Sequence, residues 1–183
     1  NTLIEAHVSI TRTNPNTKLL IVGTGPDIDQ FKELARKYGV SKDVIFAGRV
    51  PWEEVPKYYQ VATLFATASN TETQGIEAMA ASLPVVAYDD EAFRDVVVDG
   101  LNGHLFQTKK EYKDAVRDIL DHPETYEKMC RQARITADQH SSKYFAEQVL
   151  DVYKTALGGN PVPTNRTFLG KMKDVAKKGF YGK

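Results

Sequence analysis

Glu72 and Glu77 bracket a short stretch, Thr73, Gln74, Gly75 and Ile76, that leads into the helix-forming run EAMAA. Carboxylates accept hydrogen bonds from hydroxyl groups, sugar hydroxyls among them. A glycine at the start of a helix lets backbone N–H groups approach a ligand closely, and helix N-termini favour anions. A diphosphate at Thr73, Gln74 and Gly75 would gain several charge-assisted hydrogen bonds. An acid on each side of it suits a nucleotide sugar. A plainer role fits the local pattern equally well: both glutamates complement the helix dipole.

Other reactive residues carry weaker signals. Gly23 and Gly25 in GTGPD (23–27) could border a phosphate, but the third glycine of a dinucleotide fingerprint is missing. A tight turn between strand and helix is the favoured reading. Arg49 in GRVPW (48–52) could meet a phosphate, although a lone arginine after a strand is more often a solvated surface group. The four histidines show no metal-ligand spacing, so no metal is expected. His7, His104 and His140 are read as structural, and His122 opens a turn before Pro123. Cys130, the only cysteine, is expected to be a buried small hydrophobe. There is no Gly-x-Ser-x-Gly elbow and no P-loop.

The elements that must position these residues alternate regularly. Apolar runs at KLLIVG (18–23), VIFAG (44–48), ATLFATAS (62–69), LPVVAY (83–88) and GHLF (103–106) read as strands. A helix between the first two aligns Ile28, Phe31, Leu34, Ala35 and Tyr38 and is closed by Gly39. A short helix is expected near 53–60 and another from Glu91 to about Val98. Three more follow, with apolar sets Tyr112/Ala115/Val116/Ile119, Tyr126/Met129/Ala133 and Phe145/Val149/Val152/Tyr153. Strands apolar on both faces and separated by helices predict an α/β fold with a doubly wound, Rossmann-like parallel sheet. In such sheets ligands bind where strands end and helices begin. The junctions GTGPD, GRVPW, SNTETQG (69–75) and YDDE (88–91) should therefore share one rim.

The 183 residues fit one domain, or one domain plus an extension. At 42% hydrophobic and 26% charged, the chain has the composition of an ordinary globular protein, with no apolar run long enough to span a bilayer. A single cysteine and no signal-peptide pattern suit a cytoplasmic location. The opening helix lacks a preceding strand, which is expected of a chain that begins inside a larger fold. GGNPVPTN (158–165) is a linker by composition. From Pro161 to Lys183 six basic residues face one acid, and the rest of the chain carries the compensating acidic excess. A mildly acidic body excludes nucleic acid as an expected partner.

LLIVGTGP, VIFAGRV and ASNTETQGIEAMAASLPVVAYDDEAFRDVVVDGLNGHLF together resemble the C-terminal domain of retaining GT-B glycosyltransferases, glycosyltransferase family 4. The similarity covers about residues 1–157, leaving 158–183 as linker and basic tail. Within the family, the sequence is similar to bacterial glycolipid synthases that add glucose to diacylglycerol. The resemblance implies that Glu72 lies by the donor sugar and is the catalytic residue. It implies that Glu77 binds ribose hydroxyls and that the amides of Thr73, Gln74 and Gly75 hold the diphosphate. Gly23 and Gly25 would border the same cleft, with Arg49 and Val50 seating the base. It further implies a UDP-sugar substrate, no cofactor, no bound metal, and front-face attack with retained configuration.

Three departures stand out. The family places seven residues between the glutamates where this chain has four, and a loss of three removes most of a helical turn. Ser82 replaces the glycine of the family's AAGLP, which reads as a mild change. The family's basic Arg and Lys for the diphosphate, and its N-terminal acceptor domain, would precede Asn1, so the isolated chain is expected to give no measurable transfer. A non-catalytic scaffolding module and a GT-B-like nucleotide-sugar epimerase are the alternative functions.

The tail aligns Phe168, Leu169, Met172, Val175 and Ala176 opposite its lysines. It either packs on the N-terminal domain or lies on an anionic membrane, where each nearby Lys or Arg contributes roughly 1 kcal/mol. Peripheral contact at the inner face of the cell membrane is the favoured reading. In liposome sedimentation, salt-sensitive binding to anionic vesicles should disappear on truncation after Gly159.

Overall fold

The structure is a computed structural model that describes residues 2–69 and 71–156. Its elements are α1 (Thr2–Thr13), β1 (Leu19–Val22), α2 (Ile28–Lys37), β2 (Val44–Gly48), α3 (Val55–Gln60), β3 (Phe65–Thr67), α4 (Thr73–Ala80), β4 (Val85–Tyr88), α5 (Glu91–Arg94), β5 (Gly103–Phe106), α6 (Lys109–Asp121), α7 (Pro123–Gln139) and α8 (Ser142–Ala156). A 3-10 turn at Trp52–Glu54 precedes α3. One compact unit runs to Asp138, and Gln139 begins a second, whose described part is chiefly α8. The linker and basic tail at 158–183 lie outside the described residues. Among the described residues no helix is long and apolar enough to cross a membrane.

All strands pair in parallel, as the alternating pattern predicts. They do so in two sets: β1 with β2, and β3, β4 and β5 in that order. Val85, Val86 and Ala87 of β4 have no solvent exposure. Val85 and Ala87 pack with Ala78 and Met79 of α4, Phe93 of α5 and Ala133 of α7. Val86 joins a different cluster, with Ile10 of α1 and Tyr112, Val116 and Ile119 of α6. Helices thus cover both faces of this sheet, which is why its strands carry no polar alternation. Ile4 of α1 belongs instead to the core under β1 and β2, with Ala35, Val40 and Val44. One helix therefore serves both sheets.

β1 and β4 lose one or two residues at their ends, but two elements are shorter by half or more than expected. α5 stops at Arg94 rather than reaching Val98, because buried Asn102 captures the chain beyond it. The Asn102 side chain donates to Val96 O at 2.9 Å and accepts from Val98 N at 2.8 Å, so these groups are taken out of a helical ladder. β3 is confined to Phe65–Thr67. At its start Ala62 N still bonds to Tyr59 O, and at its end Ser69 N turns back to Thr67 Oγ1. By contrast β2 and β5 span the residues predicted. α6 carries a capping box in which the Thr108 hydroxyl accepts from Glu111 N and the Glu111 carboxylate accepts from Thr108 N.

Ser82 is not a mild replacement. Its N–H bonds to Met79 O and that of Leu83 to Ala78 O, the paired bonds of a Schellman motif closing α4. Gly39 closes α2 with the same pair of bonds and φ of 71°, whereas Ser82 adopts φ of 63° with a Cβ present. A left-handed conformation costs an L-residue roughly 1–2 kcal/mol. Ser82→Gly should accordingly stabilise the chain by about 1 kcal/mol. Urea denaturation would show this as a higher midpoint at unchanged slope.

Candidate functional site

The first two junctions meet at the carboxyl ends of β1 and β2. A register slip after Ile21 sets Val22 opposite Gly48, and Gly23 N then donates to Gly48 O at 2.8 Å. Gly23 turns away at φ of 117°, a conformation that a side chain would strain. Gly25 is exposed, and its carbonyl accepts from Ile28 N as α2 begins. Beyond Gly48 follow Arg49, exposed, and Val50, half-buried. The structure thus brings Gly23, Arg49 and Val50 to one place on the rim.

The third junction leaves β3 through a run of hydroxyls. Ser69 N donates to Thr67 Oγ1 at 3.0 Å and Thr71 N to Ser69 Oγ at 3.3 Å. Glu72 is the residue before α4, half-buried, with helical backbone angles and a side chain that does not cap the helix. The helix's first closed N–H is that of Ile76, bonded to Glu72 O at 3.0 Å. Those of Thr73, Gln74 and Gly75 precede it in the N-terminal turn and have no backbone partner among the described residues.

Gly75 has a second reason to be glycine. A Cβ there would lie 2.7 Å from Cε1 of Phe93, which is wholly buried. Close packing of α4 on α5 demands the absence of a side chain.

Glu77 reaches a partner that the sequence did not disclose. Tyr59 Oη of α3 donates to Glu77 Oε2 at 3.1 Å and lies 3.4 Å from Gln74 O. Burial, helped by the Glu77 charge, raises the Tyr59 pKa, so its hydroxyl stays a donor. A helix turns about 100° per residue, so five residues set Glu72 and Glu77 about 140° apart around α4. Glu77 therefore faces α3. The signal for Tyr59 was the pair Tyr58-Tyr59 in a short helix, but nothing local says which ring turns inward.

The fourth junction is tied to itself. Arg94 grips Asp89 through both nitrogens, Nε at 2.6 Å and Nη2 at 3.0 Å, and Gln107 Nε2 adds a bond at 2.8 Å. These bonds, led by that from Arg94, hold the Asp89 carboxyl at about 2. Asp90 caps α5 by accepting from Phe93 N.

Of the residues read as structural, His7 is buried, and burial lowers its pKa. His104 bridges Asp99 and Asp118 at 3.0 Å each, at the opposite end of β5 from the rim. Cys130 differs from expectation: it is half-buried, because it lies beside Met129 at the margin of the core rather than within it. Burial still raises its thiol pKa.

A parallel α/β fold of this kind fits the C-terminal domain of GT-B transferases. Residues 1–136 match the family model described as glycosyl transferases group 1, and the chain belongs to that family. Among its relatives is an alpha-monoglucosyldiacylglycerol synthase of Acholeplasma laidlawii, 33% identical over 90% of this chain and 42% of the relative. The chain thus spans less than half of that relative's length. Among solved structures, the C-terminal domain of a glycosyl transferase group 1 protein from Francisella tularensis is 24% identical, with a TM-score of 0.68, covering 75% of this chain and 76% of that one. Anabaena HepE in complex with UDP superposes with a TM-score of 0.74 at 19% identity, over 84% of this chain and 44% of that one.

Gly75→Ala should cost about 1–3 kcal/mol by overpacking. In a denaturation double-mutant cycle, Phe93→Leu should cost less in the Gly75→Ala background than alone, since the smaller side chain relieves the clash.

Proposed function

We propose that this domain binds the nucleotide-diphosphate sugar of a retaining hexosyltransferase, with UDP as the nucleotide and a glycolipid as the product class. The observation that carries this is the N-terminal turn of α4, whose Thr73, Gln74 and Gly75 amides have no backbone partner among the described residues and lie between Glu72 and Glu77 in sequence. On this reading the amides of Thr73, Gln74 and Gly75 hold the diphosphate, Glu72 lies by the sugar and Glu77 takes the ribose hydroxyls. Gly23 and Gly25 border the nucleotide, and Arg49 and Val50 lie against the base. The Anabaena neighbour's complex with UDP and the monoglucosyldiacylglycerol that the Acholeplasma relative is named for making support the choices of nucleotide and product class.

The reaction breaks the bond from the anomeric carbon to the diphosphate. The acceptor oxygen bonds to that carbon on the same face, and its proton passes to the departing phosphate. Fixed N–H groups aimed at the leaving diphosphate stabilise charge as it develops, without a bound metal. Acceptor positioning falls to a second domain, so this domain alone binds donor without transferring its sugar. The membrane contact proposed for the basic tail would bring such an enzyme to a lipid acceptor.

Calorimetric titration with UDP-glucose and GDP-mannose tests the reading. Saturable binding should occur with at least one donor and weaken about ten-fold or more in Glu77→Ala, as expected for hydrogen bonds to a charged group. Silence with every nucleotide sugar would favour a scaffolding module whose shortened glutamate spacing has lost its ligand.

A further inference from the structure

Resting on the donor-site reading above, we infer that Tyr59 is a positioning residue, whose hydroxyl orients the Glu77 carboxylate toward the ribose hydroxyls of the bound nucleotide. Glu77 is exposed, and an exposed glutamate carries up to about 2 kcal/mol of rotamer freedom that a ligand would otherwise have to freeze. A hydrogen bond made before the ligand arrives removes part of that cost.

Tyr59 is equipped to do this because its own ring is fixed. It packs against the core cluster under α4 and meets Phe65 edge-on, with centroids 6.0 Å apart and ring planes at 66°. Its oxygen bonds Glu77 Oε2 and approaches Gln74 O, so one hydroxyl registers the carboxylate against the amide turn. Oε1 of Glu77 has no partner among the described residues and keeps both lone pairs for the vicinal hydroxyls. Tyr59 thereby couples the ribose contact to the diphosphate contact. It also fixes the direction of a glutamate that the shortened spacing has turned toward α3.

Calorimetry on the full chain with two probes, UDP and 2′,3′-dideoxyuridine diphosphate, separates this role from plain packing. Tyr59→Phe keeps the ring and its edge contact. It should weaken UDP binding about ten-fold while leaving the dideoxy ligand unchanged. In the Glu77→Gln background the same change should have a much smaller effect, since the two residues act as one unit. Equal losses for both ligands, or no loss for either, would refute the positioning role while leaving the donor site standing. Failure of the unaltered chain to bind UDP would remove the donor reading and this inference together.

Discussion

The structure depends on a strand with no exposed face. Val85, Val86 and Ala87 are sealed on both sides, so every helix that touches β4 must present small or closely fitted apolar groups. Ala78 and Ala133 are those groups on one face, and Phe93 of the same cluster fills the space that a Gly75 side chain would occupy. The first turn of α4 is placed at the end of β3 by this packing, so its orientation is set by the core.

Electrostatics then sort the rim. Asp89 and Asp90 are committed to Arg94, Gln107 and the α5 cap. Glu72, Glu77 and Arg49 remain facing solvent to differing degrees. Arg49 is the one cation in the four junction segments. A helix N-terminus offers the equivalent of about half an elementary charge, well short of what a diphosphate carries. Tight binding therefore calls for further cations.

The parallel α/β architecture was legible because burial on both faces writes itself into sequence as unbroken apolar runs. VIFAG and GHLF match β2 and β5 residue for residue. Helix 91–98 was misread because its periodicity continues through Val96 and Val97, which are buried in a non-helical path fixed by Asn102, a partner in the next turn. Cys130 looked like core because its neighbour Met129 is core; half a helical face separates the two. Ser82 looked harmless because residue type does not reveal φ. At the site, the amide turn and its glycine could be read from local pattern. The Tyr59 contact could not, since it joins helices eighteen positions apart.

The shortened glutamate spacing poses the sharpest question, and helix geometry bounds the answer. Eight positions of helix bring two residues back to within about 80° of each other, whereas five leave them about 140° apart. Both glutamates therefore cannot project in one direction from a regular α4, and one must reach around. Glu72 stands just before the first helical residue with helical backbone angles, while Glu77 lies within the helix. What Glu77 retains is a fixed partner, and a carboxylate held at one oxygen keeps a defined direction for the other. On the donor-site proposal, the pocket lies where the α3–α4 contact aims Glu77.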